Sequence, residues 1–332
     1  MSQASLPVVD LIIPTRNRPD LIGTALQSVR DLRGVDVTIW VVDQSDDERT
    51  RQVVEAHAAT DPRLRYIHTQ PRGISAARNL GISLGTAPYV LFTDDDCRVE
   101  PGWAQAMVAA FATPQIWAVF GRILPDHTDG QHTVDRLPGL DLATKLNTDP
   151  ALYQRNRFNL SFGHGASMGL RRSSWGQLGG FDEALGVGGP LRSWEDRDFG
   201  YRILTQGYQI AYTPHALLYH RQWRSWPEVR RSLHNYAIGT GAAAGKHLRY
   251  GDLGGLVLLG EWLFSQGLRQ VVSGVFKWRS WPKAVIGLQQ LTVPWYGLLL
   301  SLRVPLARSH RVYDVSGLPH KRAAKPTIKV DH

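Results

Sequence analysis

Three consecutive acids, Asp94, Asp95 and Asp96, follow the apolar, β-prone run 89–93. Adjacent carboxylates repel one another, which raises their pKa values unless a positive charge offsets the repulsion. A divalent ion such as Mg²⁺ or Mn²⁺ supplies that charge and takes carboxylate and phosphate oxygens as ligands. The alternative is a solvated turn that caps the next helix, because aspartate is common in turns and at N-caps. The triplet alone favours the turn, whereas the motifs around it favour a cation.

Two of these motifs offer groups that bind a nucleotide. A carboxylate at the end of a strand, such as Asp43, accepts a hydrogen bond from a ring N–H, with a helix cap as the alternative. Arg72 and Arg78 flank the start of a helix after Gly73, and they offer cationic and backbone donors to a diphosphate. The alternative for these arginines is an ordinary solvated helix.

Another motif, Trp194 to Asp198, places acids at the predicted start of a helix. A carboxylate there can take a proton from a reacting hydroxyl. The alternative is that Glu195, Asp196 and Asp198 only complement the positive end of the helix dipole. Trp194 and, upstream, Trp175 are candidates for stacking on sugar rings, with packing in the core as the alternative.

Taken together, the motifs resemble those of family 2 glycosyltransferases with the GT-A fold. The resemblance spans about residues 8–221 and depends on five motifs in the family's order. They are the loop Pro14-Thr15-Arg16-Asn17-Arg18, the strand end at Asp43, the segment Arg72 to Asn79, the aspartate triplet, and the runs Gly179 to Glu183 and Trp194 to Asp198.

The resemblance implies an inverting transfer of a sugar from a nucleoside diphosphate-sugar, with Mg²⁺ or Mn²⁺ as the cofactor. The implied donor-binding residues are Thr15, Arg18, Asp43, Arg72, Arg78, Asp94 and Asp95. The implied metal ligands are Asp94, Asp96 and His220. Asp196 matches the catalytic base of the family, and Glu195 is expected to orient it or to contact the acceptor.

The elements that must position these residues alternate along the chain. Apolar runs predict strands at 8–13, 37–42, 65–67 and 89–93, with helical patterns between them. Such alternation predicts an α/β fold with a mostly parallel sheet flanked by helices, in which ligands bind at the carboxyl ends of the strands. Further patterns predict strands at 117–123 and 167–170, a helix at 195–205, and a variable loop region with a short helix at 126–154.

Composition limits the classes of protein that the chain can represent. Its 332 residues, 43% hydrophobic and 20% charged, are typical of a globular protein with one large domain or two smaller ones. A single cysteine, Cys97, excludes an intramolecular disulfide and a cysteine-cluster metal site, which fits a reducing cytosol. Residues 1–7 show no basic stretch followed by an apolar core, so we expect no secretory signal.

The net charge of +9 is unevenly distributed. Residues 221–311 hold 13 basic side chains against three acidic ones, whereas residues 1–220 hold 21 against 24. This predicts a catalytic domain at 1–221, a basic helical appendage at 222–315 and a flexible tail at 316–332. No RNA-binding or helix-turn-helix pattern accompanies the charge, so we expect no nucleic-acid partner.

The appendage has features of a membrane-surface segment. Residues 284–302 contain no charged side chain, a length close to the roughly 20 residues that span a bilayer. Tryptophans lie among basic residues, a mixture suited to the headgroups of an anionic membrane; they are Trp262, Trp278, Trp281 and Trp295. We expect helices lying on the cytoplasmic face of the membrane. The alternative is a soluble helical subdomain or the interface of a homo-oligomer.

The predicted function is sugar transfer to a cell-envelope, polysaccharide or lipid-linked acceptor. One alternative is a sugar-phosphate nucleotidyltransferase, which usually has a glycine-rich loop after its first strand; the loop 14–18 contains no glycine. The other is a non-catalytic scaffold that binds a nucleotide or glycan at the membrane.

Overall fold

The computed structural model describes residues 5–70, 72–127, 141–155, 157 and 159–317. A nine-stranded sheet forms the centre of this part of the chain. Its strands, β1 to β9, are Val8–Thr15, Asp36–Asp43, Leu64–His68, Tyr89–Phe92, Cys97–Val99, Ile116–Asp126, Ala151–Tyr153, Met168–Arg171 and Gln209–Arg221. They lie in the order β3-β2-β1-β4-β8-β6-β9-β5, and β7 pairs with β9.

Helices cover the sheet and continue beyond it. Helices α1 to α10 are Pro19–Arg30, Arg49–Ala58, Ile74–Leu84, Trp103–Ala109, Arg172–Leu178, Glu195–Thr205, Trp226–Arg249, Gly254–Trp262, Arg269–Val272 and Trp281–Ser301. A 3-10 turn spans Gly165–Ser167, and π-helical segments at Leu263–Leu268 and Ser273–Lys277 follow α8 and α9. The predicted α/β fold is therefore confirmed.

The first four strands are parallel, and their carboxyl ends form one edge of the sheet. Thr15 at the end of β1 pairs in register with Asp43 at the end of β2, and β4 ends at Phe92, one residue before the aspartate triplet. Because these strands are buried on both faces, they are apolar throughout: Leu11 and Ile13 belong to the core on one face, and Ile12 to the core on the other.

The second half of the sheet is mixed and brings a distant part of the chain to the triplet. β8 is antiparallel to β4 and β6. The short strand β5 follows the triplet and is antiparallel to β9, with Cys97 opposite His220. This pairing explains how a histidine more than 120 positions downstream reaches Asp96. The sequence analysis did not predict β5, because a three-residue strand carries almost no periodicity.

Helix α7 is joined to the preceding part of the chain by a buried ionic cluster. Lys246 Nζ lies 2.8 Å from Asp182 Oδ2 and 2.5 Å from Asp198 Oδ1, and all three side chains are fully buried. Arg202 and His247 also contact Asp198, at 3.0 and 3.2 Å. Burial alone would raise the pKa of Asp198. Lys246 and Arg202 lower the pKa by more than burial raises it, so it lies well below its usual range. The cluster fixes α6 against α7.

Helix α10 packs against α7 through small residues. A Cβ at Gly241 would lie 1.7 Å from the carbonyl oxygen of Pro294, and one at Gly297 would lie 2.0 Å from that of Ile238. The two helix backbones are therefore in direct contact. None of the helices in the described ranges combines the length and the hydropathy needed to cross a bilayer.

Two sequence predictions concern regions that the structure covers only in part. The predicted short helix of 126–154 does not occur at 141–154, where β7 lies instead, while residues 128–140 lie outside the described residues. The predicted flexible tail lies outside them from residue 318 onward.

Candidate active site

The three aspartates of the triplet point to different partners. Asp95 is buried, accepts a hydrogen bond from Thr15 Oγ1 at 2.8 Å and pairs with Arg18 at 2.7 Å. Burial raises the pKa of Asp95 to about 6, although Arg18 partly offsets this. Thr15 and Arg18, which the sequence analysis assigned to the nucleotide, therefore also hold Asp95 in place.

Asp96 is surrounded by donors and cations. Its Oδ1 lies 3.4 Å from His220 Nε2, and its Oδ2 accepts a hydrogen bond from Trp223 Nε1 at 2.8 Å. Arg18 and Arg224 lie 3.6 and 3.9 Å away. Burial raises the pKa of Asp96, but His220 and the two arginines outweigh it and hold the pKa far below its usual range. Asp96 is therefore ionised over the whole physiological pH range.

The residues at this point fit a divalent cation. Ligand atoms of Asp96, Cys97 and His220 all lie within 4.8 Å of one another. A carboxylate and an imidazole together suit a metal such as Mn²⁺. Burial raises the pKa of Cys97 well above its usual range, so its thiol keeps its proton and is a poor ligand. Gln222 Nε2 lies 2.8 Å from His220 Nδ1, a contact that orients the ring with Nε2 toward Asp96.

Asp94 is the most accessible acid of the triplet and is linked to the Glu195 carboxylate. Its side chain is 24% exposed, against 2% for each of the other two. Arg78 donates from one guanidinium nitrogen to Asp94 at 3.3 Å and from the other to Glu195 at 3.1 Å. Burial raises the pKa of Asp94, and the charge of Arg78 partly offsets that effect. One buried guanidinium thus holds two acids from motifs about 100 positions apart.

The acidic pair at the start of α6 is positioned by an unusual backbone turn. Trp194, the residue before α6, has a left-handed conformation with φ of 87°, which is unfavourable for a bulky residue and is found mainly at functional sites. Glu195 and Asp196 consequently lie in the first turn of the helix. Asp196 Oδ2 accepts a hydrogen bond from the Gly165 N–H at 2.8 Å. Burial raises the pKa of Glu195 to about 7, with a further contribution from Asp196.

These groups line one cleft that opens to solvent, with about 740 Å³ of free space including its mouth. Of the residues predicted from sequence, it is lined by Arg78, Asp94, Glu195, Asp196 and His220. Asp96 does not line the cleft itself but contacts His220, which does. Arg18 contacts both Asp96 and Asp95, so Thr15, Arg18 and Asp95 lie next to Asp96.

Asp43 and Arg72 lie farther from the cleft. Asp43 is buried beside Thr15, accepts a hydrogen bond from Tyr66 Oη at 2.9 Å and caps the Ser45 N–H at 2.8 Å. Arg72 is 55% exposed and pairs with Asp46 at 2.7 Å, and it is not among the residues that line the cleft. The structure therefore brings Asp43 to the same sheet edge but does not bring Arg72 to the cleft.

Several residues of the site were not predicted from sequence. Trp223 and Arg224 contact Asp96, and Tyr236 from α7 lines the cleft together with His164. Burial lowers the pKa of His164 to about 4, with Arg197 adding to the effect, so its imidazole is neutral. The only signal for Trp223 and Arg224 was that they follow His220 directly. No sequence signal pointed to Tyr236, because it belongs to a helix that the sequence analysis assigned to the membrane.

The sequence also matches a known family. Residues 10–179, just over half of the chain, match the model described as glycosyl transferase family 2. The chain belongs to glycosyl transferase family 2. This confirms the resemblance inferred from the five motifs.

Curated relatives in the family include longer proteins. The chain is 28% identical over 289 residues to the pre-mycofactocin glycosyltransferase of Mycobacterium tuberculosis, covering 84% of this chain and 56% of that protein. It is 29% identical over 243 residues to the succinoglycan biosynthesis protein ExoO of Rhizobium meliloti, covering 69% and 65%. The chain thus spans about half to two thirds of the length of these family members.

Solved structures share the fold. The mannosyltransferase PcManGT from Pyrobaculum calidifontis, in complex with GDP-Man and Mn²⁺, aligns with a TM-score of 0.61 and 17% identity over 90% of this chain and 88% of that one. GalNAc-T7 with UDP, GalNAc and Mn²⁺ aligns with a TM-score of 0.52 and 16% identity over 72% and 48%. At these identities the likeness shows the GT-A fold of this family member.

Proposed function

We propose that the protein is an inverting, metal-dependent glycosyltransferase that transfers a sugar from a nucleoside diphosphate-sugar. The observation that carries the proposal is the convergence of Asp94, Glu195, Asp196 and His220 around one cleft. These residues come from three motifs that are far apart in the chain. Family membership, the GDP-Man complex of one fold relative and the complex of the other with UDP and GalNAc support the same reaction.

A divalent cation fits this site, and Asp94, Asp96 and His220 would hold it. Both fold relatives were solved with Mn²⁺, which supports Mn²⁺ or Mg²⁺ as the cofactor. When bound, the cation supplies Lewis-acid stabilisation of the departing diphosphate. Arg18, at the rim of the same acidic cluster, adds a fixed positive charge.

Asp196 is the proposed base. It is half-buried at the cleft, and its two oxygens are fixed by the backbone N–H groups of Gly165 and Arg197, at 2.8 and 2.7 Å. A carboxylate held in this way can take a proton from the attacking hydroxyl of the acceptor. Glu195, held by Arg78, completes the wall of the cleft, where we expect it to orient the acceptor.

For the acceptor, we propose a cell-envelope, polysaccharide or lipid-linked glycan. The names of the relatives include succinoglycan biosynthesis, and the C-terminal helices present a surface suited to a membrane. Exposed apolar side chains lie along α8 to α10 and the π-helical segments between them; they include Leu253, Leu256, Phe264, Val272, Phe276, Trp278, Trp281, Leu288, Trp295, Leu299 and Leu302. Lys277 and Lys283 lie over the Trp278 ring, at 5.4 and 4.3 Å.

We assign this surface, within residues 222–315, to the anionic cytoplasmic face of a membrane, because tryptophan and lysine together suit the headgroup zone. Trp262 does not contribute to it. Its side chain is only 7% exposed and packs edge-to-face on Trp194, at a centroid distance of 6.0 Å. The membrane prediction therefore depends on the other tryptophans.

The test of the function is thermal stabilisation by nucleotides. UDP and GDP, each with Mn²⁺, are compared in a melting experiment on the whole chain. At 100 times the dissociation constant a ligand stabilises by ~2.7 kcal/mol, so we expect the matching nucleotide to raise the melting temperature by about 5 °C. Asp96→Ala should abolish the effect of Mn²⁺. If neither nucleotide shifts the melting curve with metal present, the donor-site assignment is wrong.

A further inference from the structure

A second cleft adjoins the candidate active site. Its volume is about 480 Å³, and it shares two lining residues, Trp194 and Arg197, with the first cleft. One wall is formed by residues 159–161 of the catalytic part, and the other by α8 and the π-helical segment after it. We call it the Trp groove; its remaining lining residues are Leu258, Glu261, Trp262, Ser265 and Gln266.

Two buried donors of the Trp groove have no acceptor. Trp194 and Trp262 are 6% and 7% exposed, and neither indole N–H makes a hydrogen bond to any part of the chain that the structure describes. Native proteins satisfy nearly all of their buried polar groups, so each exception calls for an explanation. Two exceptions lining one groove indicate that a molecule entering it supplies the acceptors.

The Trp groove also contains two charged side chains, those of Arg197 and Glu261. The Arg197 guanidinium lies over both indole rings, 5.8 Å from Trp194 and 5.9 Å from Trp262. Across the ranges with described coordinates, neither Arg197 nor Glu261 forms an ion pair. Arg197 can only donate hydrogen bonds and ionised Glu261 can only accept them.

This combination of groups matches a saccharide. Sugar hydroxyls both donate and accept hydrogen bonds, so they can pair with Glu261, with Arg197 and with the two indole N–H groups. A lipid tail would offer no partner to Arg197 or to the two buried indole N–H groups, which disfavours it.

We propose that the Trp groove binds the acceptor glycan, holding the sugar residue next to the one that reacts at Asp196. Because Arg197 follows Asp196 in the chain and lines both clefts, an acceptor of at least two sugar residues extends from one cleft into the other. This inference rests on the proposed transferase function for its biological meaning, while the binding itself is measurable without any donor.

The test is saturation-transfer NMR on the whole chain with four disaccharides: cellobiose, maltose, lactose and α-1,2-mannobiose. We expect transfer to at least one of them. Trp262→Phe, which removes the N–H and keeps an aromatic ring, should reduce it at least three-fold. Glu261→Ala should have the same effect, and because this side chain is exposed the variant does not endanger the fold. Trp281→Phe, at a 76% exposed tryptophan outside the groove, is the matched control and should leave it unchanged.

The outcomes separate this inference from the proposed function. The melting shift with Mn²⁺ and UDP or GDP is recorded on the same variants and should stay at the wild-type value. If no disaccharide shows transfer, or if transfer is the same in Glu261→Ala and Trp262→Phe as in wild type, the glycan groove is wrong even when the nucleotide shift is intact. If saturation transfer falls in both variants while no nucleotide shifts the melting curve, glycan binding by the Trp groove is supported and the donor-site assignment is wrong.

Discussion

At the scale of single residues, Arg78 organises the cleft. Its guanidinium lies between the rings of Phe92 and Phe181, at 5.7 and 5.6 Å, and joins Asp94 to Glu195. A Cβ at Gly165 would lie 2.6 Å from both terminal guanidinium nitrogens, so a larger residue there would displace the guanidinium. The sequence indicated a cation for the diphosphate at this position. That Arg78 bridges two acids depends on folding that brings α3 and α6 together, which no local pattern encodes.

Replacing the proposed base tests its role directly. Asp196→Asn keeps the size of the side chain and one oxygen acceptor but cannot take a proton. We expect sugar transfer to fall about 10²- to 10⁴-fold, with the nucleotide-dependent melting shift unchanged. Asp20→Asn, at an exposed position in α1, is the control and should retain full activity. Transfer at the wild-type rate in Asp196→Asn would show that Asp196 is not the base, whereas the non-catalytic scaffold predicts that the biological activity survives this change.

Glu195 should give the protein a measurable pH dependence of stability. Since the pKa of Glu195 in the folded protein is about 7, whereas the ordinary pKa of a glutamate is 4.5, the folded state binds more protons between these values. Stability therefore falls as the pH rises through this window. Glutamine has no proton to lose, so Glu195→Gln should lack this part of the fall.

The measurement is urea unfolding of both proteins between pH 4 and 8 in EDTA. We expect the variant to gain on the order of 3 kcal/mol relative to wild type across the range, from 1.36 kcal/mol per pKa unit. A difference that does not change with pH would show that Glu195 is ionised in the folded protein at pH 5.

At the scale of elements, the contact between α6 and α7 is the critical one, because the acidic pair begins α6. Lys246 neutralises two buried acids there, and Asp182 also accepts a hydrogen bond from the Tyr313 N–H at 3.0 Å. The chain beyond α10 is therefore held by the same cluster. The catalytic helix depends on the C-terminal helices for its environment.

Replacing Lys246, the cation at the centre of the cluster, should lower the free energy of unfolding. Lys246→Met fills a similar volume but leaves Asp182 and Asp198 buried without it, and loss of one partner of a buried ion pair costs about 3 to 5 kcal/mol. We expect that decrease in the free energy of unfolding by urea. Lys277→Met, at an exposed lysine, should change it by less than about 0.5 kcal/mol. Equal stability of Lys246→Met and wild type would contradict the structural role of the cluster.

Much of the fold follows from the sequence, and the exceptions have physical causes. The helix predicted at 195–205 has those bounds in the structure, and the first four strands begin and end within two residues of their predicted bounds in β1 to β4. Hydrophobic periodicity and turn residues suffice for such elements. β5 and β7, with three residues each, exist because β9 offers them an edge. Trp262 carries the same local signal as the exposed tryptophans, and only tertiary packing on Trp194 distinguishes it.

At the scale of the whole molecule, charge and apolar surface are concentrated in the same third of the chain. The basic excess of residues 221–311 accompanies the exposed apolar side chains of α8 to α10. A surface of this kind gains both from apolar insertion and from attraction to anionic lipid. It lies on the helices that also form one wall of the Trp groove, so a lipid-linked glycan would have its lipid and its sugar on adjacent faces.

Flotation with liposomes tests the membrane surface. We expect the protein to float with phosphatidylglycerol vesicles at low salt and less so at 1 M salt, where charges are screened beyond about 3 Å. Trp278→Ser combined with Trp281→Ser should reduce flotation, whereas Leu6→Ser, at a 55% exposed leucine near the start of β1, should not. A protein that stays at the bottom at low salt would favour the soluble helical alternative.

The ionic cluster between α6 and α7 also determines when the chain can fold around α6 during its synthesis. A ribosome releases Asp182 and Asp198 well before Lys246. Arg202 can pair with Asp198 almost at once, but Asp182 has no cation to accompany it into the apolar interior until that lysine has been made. The nascent polypeptide consequently cannot close around α6 while α7 is still untranslated. We therefore expect the proposed sugar transfer to begin only after the last helices have been synthesised, so that an incomplete chain consumes no donor.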